Sequence, residues 1–383
     1  CSSGYTSVVA LINHTSVPDS DLAEAWKNDN VPRIILSKRI SFSKNLQFIR
    51  QLIVEALKLR RKAKKSVSGT LLQRIFIRAS QGALSGQTLS NLIMAFQIEN
   101  LAKNLQPKAI VVTHEGHAWE RMAFAAVRRV NPDTRCIGFQ HSAIFKLQHA
   151  IRRNLAPEYN PDLILSSGEV GKKQLEAAPG LKNIPVDILG SNRIFERGKI
   201  SEKNDSQQPL SCLVLPEGDI NECNLLFEFS RHCAFKLPQV KFIWRLHPLL
   251  TFAKIFKQNP ILRNLPDNIE LSTSSIQEDI MRSKWALYRG TTAIIQAGQC
   301  GLRPIYLHLP NEMTIDPLYE LSGWREIITK SSELVNIIQT DIINSFEGNK
   351  AERVRTIEYC QNFFVPFDYQ VLQNCITNVD LSQ

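Results

Sequence analysis

A basic pair follows one of the most β-prone stretches of this sequence. Residues 241–244 are β-prone, and Arg245 and His247 come shortly after them. Pro248 blocks the α conformation at the residue before it, so we expect His247 to be held extended at a strand end. Two such donors suit a phosphate or a carboxylate ligand. A buried histidine that is satisfied by internal partners is the structural alternative.

A second group of chemically capable side chains follows the valine-rich residues 109–113. It contains His114, Glu115 and His117, and Gly116 allows a sharp turn that would place Glu115 at the start of a helix. A glutamate there would suit the helix dipole as a cap. The two neighbouring histidines favour another interpretation, in which Glu115 is a general base that takes a proton from a substrate hydroxyl.

Two further strand ends carry polar groups. Gln140 and His141 end the β-prone residues 136–140 and are candidate ligands for substrate oxygens, although a loop histidine with internal partners is equally compatible. Asp219 follows residues 211–216. It is a good N-cap for the next helix, and alternatively a catalytic carboxylate or a sugar ligand.

A glycine–threonine turn follows a β-prone stretch that ends at Arg289. Gly290 provides the tight turn, and Thr291 and Thr292 then begin a helical segment that ends near Gly301. Free N–H groups at a helix start favour an anion. This turn and the basic pair lie in the same half of the chain, so together they predict a phosphate site that includes Arg289.

The elements that position these residues alternate between strands and helices, which predicts parallel sheets with crossover helices and an α/β fold. The polar, charged residues 196–208 are expected to be a linker. The predicted architecture is therefore two tandem doubly wound Rossmann-like domains that face a cleft, over residues 1–195 and 209–350. Residues 351–383 are predicted to form a helical tail that packs back on the first domain. Ligands of open α/β sheets bind beyond the carboxyl ends of the strands, where all the candidate residues lie.

Composition restricts the partners of the chain. The 383 residues are 43% hydrophobic and 21% charged, which is typical of a globular protein with a substantial core. The net charge of +10 favours anionic partners, and its densest basic run is Lys58–Lys65. That run is either a solvated helix face or a contact with an anionic membrane surface. Nucleic acid is not an expected partner, because no motif for binding it accompanies the charge.

No metal or organic cofactor is expected. None of the eight cysteines forms a CxxC pair, and their scatter through apolar segments indicates reduced thiols. Asp19 and Asp21 form a DxD triplet, but its context predicts a loop that does not follow a sheet strand. No other carboxylate or histidine cluster has the spacing of metal ligands.

Taken together, these residues resemble the GT-B glycosyltransferases, and most closely the bacterial enzymes that transfer sialic acid or Kdo from CMP-activated donors. Members of that group carry an acidic residue followed by glycine in the first domain, a His-Pro motif in the second, and a Ser/Thr pair at a helix start. Glu115-Gly116, His247-Pro248 and Thr291-Thr292 fill these places. Residues 288–307 also resemble the nucleotide-binding end of capsule and lipopolysaccharide transferases.

The resemblance implies a role for each of these residues. Glu115 would be the general base or acid/base, and His247 with Arg245 would bind the CMP phosphate and stabilise the leaving group. If the chain resembles the retaining Kdo transferases, Asp219 is the candidate nucleophile. The sequence departs from the pattern at Gln296, where many GT-B enzymes have a glutamate that holds the ribose, and Gln296 is the candidate for that contact here.

The resemblance also predicts partners and alternatives. It implies a nucleotide-sugar donor and a lipid-linked glycan acceptor, and a cytoplasmic location at the inner face of the bacterial inner membrane. The product would be a surface glycan such as lipopolysaccharide, O-antigen or capsule. The alternatives on the same fold are a UDP-sugar transferase, a glycerophosphotransferase of cell-surface polymer synthesis and a nucleotide-sugar epimerase. A basic module that binds anionic lipid or RNA without catalysis is a further alternative.

Overall fold

The fold is seen in a computed structural model, which describes residues 6–13, 17–36, 39–193, 210–248, 250–344 and 350–377. The predicted linker, residues 196–208, lies outside the described residues. All strand pairs in the described chain are parallel. This agrees with the valine- and isoleucine-rich runs, because strands that are covered on both faces need apolar side chains on both faces.

The first part of the chain carries two sheets. A two-stranded sheet pairs β1 (Val9–Leu11) with β2 (Arg33–Ile35). A four-stranded sheet has the order β3-β4-β5-β6. Its strands are β3 (Ala109–Thr113), β4 (Arg135–Gln140), β5 (Leu163–Ser166) and β6 (Val186–Ile188). Three consecutive helices separate the two sheets in sequence.

The helices of this part are α1 (Asp19–Ala25), α2 (Phe42–Lys65), α3 (Leu71–Ala83), α4 (Gly86–Leu105), α5 (Ala118–Val130) and α6 (Glu169–Glu176). The prediction of a loop at Asp19 and Asp21 was wrong, because both lie in the first turn of α1, where the helix dipole favours acidic side chains. Phe124 and Val127 of α5 pack against Val112 and Cys136 of the four-stranded sheet. This packing fixes the loop between β3 and α5.

The second sheet has six strands in the order β12-β11-β10-β7-β8-β9. They are β7 (Ser211–Leu215), β8 (Lys241–Trp244), β9 (Ile269–Leu271), β10 (Trp285–Tyr288), β11 (Arg303–Leu307) and β12 (Glu326–Ile328). The chain adds β8 and β9 on one side of β7 and then returns to add β10, β11 and β12 on the other. The topological switch point therefore lies between β7 and β10.

Helices cover both faces of the six-stranded sheet. They are α7 (Ile220–Lys236), α8 (Phe252–Gln258), α9 (Ile276–Met281), α10 (Ala293–Gln299) and α11 (Ser331–Ile343). Side chains of β7 alternate between two cores: Cys212 and Val214 face the core that contains Phe227 of α7, and Leu213 and Leu215 face the other. All five residues of β7 are buried, as expected of a central parallel strand.

The end of the described chain crosses from the second sheet to the first. It contains α12 (Lys350–Gln361) and α13 (Tyr369–Thr377), and Cys375 of α13 packs with residues of the four-stranded sheet. The connecting residues 362–368 bond to the loops after β5 and β6: the Val365 N–H donates to the Ser167 carbonyl, and the Ser191 N–H donates to the Val365 carbonyl. This connection covers the carboxyl ends of β5 and β6.

Candidate functional site

The loop after β3 positions Glu115 through its backbone. Gly116 has φ +84°, and a β-carbon there would lie 2.2 Å from the carbonyl carbon of Ala150, so only glycine fits. The carboxylate of Glu120, near the start of α5, accepts hydrogen bonds from the N–H groups of Glu115, Gly116 and His117 at 2.8–2.9 Å. Glu120 therefore caps the helix, and the Glu115 side chain is left available for another role.

The Glu115 carboxylate is the centre of a polar cluster. The Ser142 hydroxyl donates to it, His117 Nε2 lies 3.2 Å from Oε2, and His141 Nε2 lies 3.9 Å from Oε1. Glu115 and His141 lie side by side beyond the ends of adjacent strands. Thr113 of β3 pairs with Phe139 of β4, and Glu115 and His141 each come two residues later along the chain. The Glu115 side chain is 27% exposed, so a ligand can reach this cluster.

The cluster favours the ionised form of Glu115. Partial burial opposes ionisation, but the hydrogen bond from Ser142 and the charges and donors of the two histidines outweigh it. The pKa of Glu115 is therefore lower than that of an ordinary glutamate. An ionised carboxylate that is reachable from solvent can accept a proton from a bound hydroxyl group.

Two residues predicted to bind substrate lie in the interior instead. His114 is fully buried, its ring packs near Phe124 and Gly138, and burial lowers its pKa. Gln140 is 2% exposed, accepts from the Ser166 hydroxyl, and donates to the Ser142 carbonyl. Both side chains therefore have the internal partners of the structural alternative, and a ligand contact from either stays a prediction. Gln140 supports the site indirectly, since its amide fixes the backbone of Ser142.

The switch point of the second sheet forms a second candidate region. Three residues lie side by side just beyond the ends of adjacent strands: Glu217 after β7, Gly290 after β10 and His247 after β8. Their alignment follows from the strand register, since Leu215 pairs with Tyr288 and the Arg245 N–H donates to the Val214 carbonyl. A β-carbon on Gly290, whose φ is +66°, would lie 2.5 Å from a Glu217 carboxylate oxygen. Ligands of open α/β sheets bind at such switch points.

His247 and Glu217 have specific neighbours there. A β-carbon on Gly218 would lie 3.2 Å from the His247 ring, so glycine allows the imidazole to pack on the loop backbone. His247 and Glu217 are both exposed. The pKa of Glu217 is raised, first by desolvation of its carboxylate and then by the negative charges of Glu222 and Asp219, which outweigh the opposite effect of Arg289.

Arg289 was predicted to bind phosphate, but its charge is already neutralised. It is 2% exposed, Nε donates to Glu222 at 2.7 Å, and the guanidinium also donates to Glu312. Two carboxylates and the Leu307 carbonyl surround it, so it ties α7 to the loop after β11. A buried arginine requires such partners, and they leave Arg289 with a structural role here, while a phosphate contact from it stays a prediction.

Arg245 and Asp219 also have structural partners. Arg245 donates to Asp279 at 2.8 Å and to the Ser274 carbonyl at 2.7 Å, and its side chain is 22% exposed. Asp219 is the N-cap of α7, where its Oδ1 accepts from the N–H groups of Asn221 and Glu222. For Asp219 the structure agrees with the capping interpretation.

The threonine turn is present, but its helix is short. Thr292 is the N-cap residue of α10, but its side chain makes no capping hydrogen bond. The Thr291 hydroxyl accepts from the Ala293 N–H at 3.3 Å. Gln296 lies one helical turn after Thr292, on the same face of α10. All three side chains are partly exposed. The seven residues of α10 give it a weak dipole, so a ligand there would depend on the hydroxyl and amide groups rather than on the helix end.

Glu217 and Ser142 are the residues whose importance the sequence did not reveal. Ser142 adjoins His141, and Glu217 lies two residues before Asp219, which the sequence favours as the functional carboxylate. One signal was available: Glu217-Gly218 repeats the Glu115-Gly116 pair after a β-strand. Among the described residues, no group of three or more His, Cys, Asp or Glu side chains could hold a metal ion.

No protein-family model matches the chain, and no curated protein is significantly similar to it in sequence. Solved structures match it over nearly its whole length. MnaA of S. aureus, solved with UDP, is 10% identical with a TM-score of 0.52, and the match covers 98% of this chain and 97% of that chain. The glycotransferase of kitacinnamycin is 11% identical with a TM-score of 0.53, covering 99% of this chain and 91% of that chain.

A third match is a Listeria monocytogenes protein assigned as a UDP-N-acetylglucosamine 2-epimerase. It is 12% identical with a TM-score of 0.53, and the match covers 98% of this chain and 96% of that chain. The chain has the GT-B fold. The predicted fold class is therefore confirmed, with two Rossmann-like domains and parallel sheets. At such low identity the matches establish the architecture alone.

Proposed function

We propose that this GT-B protein is a nucleotide-sugar-dependent glycosyltransferase that uses Glu115 as its general base. The observation that carries the proposal is the Glu115 carboxylate, which lies beyond the carboxyl ends of β3 and β4, is 27% exposed, and is held ionised by Ser142, His117 and His141. One of the proteins with this fold is the glycotransferase of kitacinnamycin, which supports this class of reaction.

The proposed reaction is a single displacement. An acceptor hydroxyl attacks the anomeric carbon of the donor, and its proton passes to Glu115. The new C–O bond forms as the bond between the anomeric carbon and the phosphate oxygen breaks, and the nucleotide leaves with that electron pair. We favour one displacement over a covalent intermediate on Asp219, because Asp219 is engaged as the cap of α7.

The nucleotide is proposed to bind at the switch point of the second sheet. His247 can donate to the leaving phosphate, the hydroxyls of Thr291 and Thr292 can do the same, and Gln296 can reach the ribose. Preorganised donors at a leaving group are worth about 3 kcal/mol each. With these donors the reaction is proposed to proceed without a metal ion, so a chelator such as EDTA should leave the rate unchanged.

The donor that we propose is a CMP-linked acidic sugar, either Kdo or sialic acid. The support is the combination of Glu115-Gly116, His247-Pro248 and Thr291-Thr292, each found directly after a parallel strand. The acceptor is proposed to be a lipid-linked glycan of a bacterial surface polymer, such as lipopolysaccharide, O-antigen or capsule, at the cytoplasmic face of the inner membrane. No helix among the described residues is long and apolar enough to cross a bilayer.

A UDP-sugar enzyme is the second candidate, either a transferase or an epimerase. It is favoured by two proteins with this fold, namely MnaA, which was solved with UDP, and the Listeria monocytogenes protein assigned as a UDP-N-acetylglucosamine 2-epimerase. A glycerophosphotransferase would use the same cleft with a CDP-linked donor. An epimerase would consume its donor without any acceptor, and this property separates it from both kinds of transferase.

A thermal-shift titration with CMP, CDP, UDP and GDP tests these assignments. A nucleotide at 100 times its Kd adds about 2.7 kcal/mol to the free energy of unfolding. We expect CMP to stabilise the wild type and to lose this effect in His247→Ala, but not in His232→Ala, a matched change at an exposed histidine of α7. Stabilisation by UDP or GDP would discard the acidic-sugar donor, and no response to any nucleotide would overturn the proposed function.

A further inference from the structure

The hairpin formed by α2 and α3 holds nearly all the net charge of the chain. Residues 42–84 contain ten Lys and Arg residues and one acidic residue, Glu55, for a net charge of +9, whereas the whole chain carries +10. The remaining 340 residues are therefore almost neutral. A charge concentrated on one element indicates a local function, since solubility alone would be served by charge spread over the surface.

The same hairpin exposes an unusual number of large apolar side chains. On α2 they recur at helical spacing at Phe42, Leu46, Ile49, Ile53 and Leu57, and all of these are at least 37% exposed. Further exposed apolar residues of the hairpin are Val54, Val67, Leu71, Leu72, Ile75, Ile77 and Leu84. Single exposed apolar residues are normal, but a contiguous stripe indicates an interaction surface.

Other side chains supply the buried face of the hairpin. Phe48, Ala56 and Ala63 supply the buried face of α2, and Phe48 packs edge-on against Phe96 of α4 with ring centroids 5.9 Å apart. The exposed stripe is offset from this buried face by about one residue, or about 100° around the helix. It therefore remains uncovered within the described chain.

We propose that the α2–α3 hairpin docks on the surface of an anionic lipid bilayer. An amphipathic helix rich in Lys and Arg, with an exposed apolar side, lies in the membrane interface with that side buried by about 5–10 Å. At 24 residues, α2 is about 36 Å long, which is ample for such a contact. Arg50, Arg61 and Lys65 can then meet lipid phosphates while Ile49 and Ile53 enter the acyl boundary.

The charge and the apolar stripe of the hairpin argue against two other partners for this surface, a second copy of the chain and a nucleic acid. A second copy would bring another +9 surface against the first, which is repulsive without an acidic patch between them. Nucleic acid would match the charge but gives no role to a stripe of isoleucine and leucine. This inference rests on the hairpin alone. It goes beyond the proposed function, so the failure of either leaves the other standing.

Vesicle co-sedimentation of the full chain tests the proposal. We expect binding to vesicles that contain phosphatidylglycerol and much weaker binding to vesicles of phosphatidylcholine alone. Each basic side chain near an anionic membrane contributes roughly fivefold in affinity. The variant Arg61→Gln/Lys64→Gln/Lys65→Gln should therefore bind on the order of 100-fold more weakly. Raising the salt concentration should weaken the wild type in the same direction.

Matched variants in the second domain act as controls. Lys236→Gln/Lys254→Gln/Lys257→Gln removes the same charge from exposed positions of α7 and α8, and should bind like the wild type. Ile49→Ser/Ile53→Ser/Ile75→Ser should also lose vesicle binding, whereas Phe235→Ser/Ile261→Ser/Ile343→Ser should not. Thermal unfolding of each variant checks that it is folded, which is expected because every changed side chain is exposed.

Three results would overturn the proposal. One is the absence of binding to anionic vesicles, and another is equal binding by the two charge variants. The third is a dimer in size-exclusion chromatography that the hairpin variant Ile49→Ser/Ile53→Ser/Ile75→Ser dissociates, since a second copy would then cover the apolar stripe.

Discussion

Two glutamate–glycine pairs follow β-strands in this protein, and their surroundings shift the pKa values of the two glutamates in opposite directions. Glu115 follows β3 beside His141 on the next strand, and Glu217 follows β7 beside His247 on the next strand. At Glu115 a hydroxyl and two imidazoles favour the anion and lower its pKa. At Glu217 desolvation and two neighbouring carboxylates raise its pKa. Residue type and strand position are therefore the same, and the neighbours decide the proton affinity.

The comparison suggests a division of roles between the domains. The ionised Glu115 suits proton removal from an acceptor. The carboxyl of Glu217 takes up a proton more readily, and when it is protonated it can donate a hydrogen bond to an anionic ligand at the switch point. Paired groups whose environments separate their pKa values are typical of acid and base assignments in enzymes.

The largest expected effect is on catalysis, from Glu115→Gln. The amide cannot accept the proton of the attacking hydroxyl, so the transfer rate should fall by about 100- to 10,000-fold, with little change in the thermal midpoint. Glu158→Gln, at an exposed position of the same domain, is the control. Wild-type turnover by Glu115→Gln would contradict its assignment as the general base. An equal loss of rate in Glu217→Gln would contradict the proposed difference in role between the two glutamates.

The glycines should differ in their effect on stability. Gly116→Ala should reduce the free energy of unfolding by about 3 kcal/mol, since it combines a positive φ with a clash against rigid backbone. Gly290→Ala should reduce it by about 1–2 kcal/mol, because the clash is with the flexible end of Glu217. Gly82→Ala, with open space around it in α3, should be neutral or stabilising. Urea unfolding measures all three, and equal losses at positions 116 and 290 would contradict this reasoning.

A pH–rate profile can sharpen the comparison. The lowered pKa of Glu115 predicts that activity persists below the ordinary titration range of glutamate before it is lost as the pH falls. Ser142→Ala removes the hydrogen bond that contributes most to this lowering, so its acidic limb should move to higher pH. An unchanged limb in this variant would show that another group controls the profile.

The smallest expected effect is on stability, from Glu217→Gln. The raised pKa means that ionised Glu217 opposes folding at neutral pH, and this penalty is relieved as the pH falls through the folded-state pKa. The amide carries no charge, so the variant should gain less than about 1 kcal/mol at pH 7. The gain should disappear at low pH, where the wild type is protonated. Thermal unfolding at both pH values checks this, and a loss at pH 7 would refute the raised pKa.

The sequence by itself determined most of the local structure. The β-prone runs at residues 109–113, 211–216 and 241–244 contain β3, β7 and β8, and the run at 136–140 covers all of β4 except Arg135. Valine- and isoleucine-rich runs that end at Gly, Pro or polar residues have few other stable conformations. The turns at Gly116 and Gly290 were also predictable, since each needs a positive φ that glycine alone adopts readily. The short edge strand β12 (Glu326–Ile328) was not predicted.

Only the tertiary structure decided which polar groups remain available. Arg289 and Gln140 lie at strand ends like Glu115, yet each is enclosed by partners that are distant in sequence, such as Glu312 and Ser166. The covering of β5 and β6 by residues 362–368 likewise depends on the chain returning from the other sheet. Local sequence sets backbone preferences, but burial and charge neutralisation depend on long-range contacts, and these settle which carboxylate is ionised and reachable.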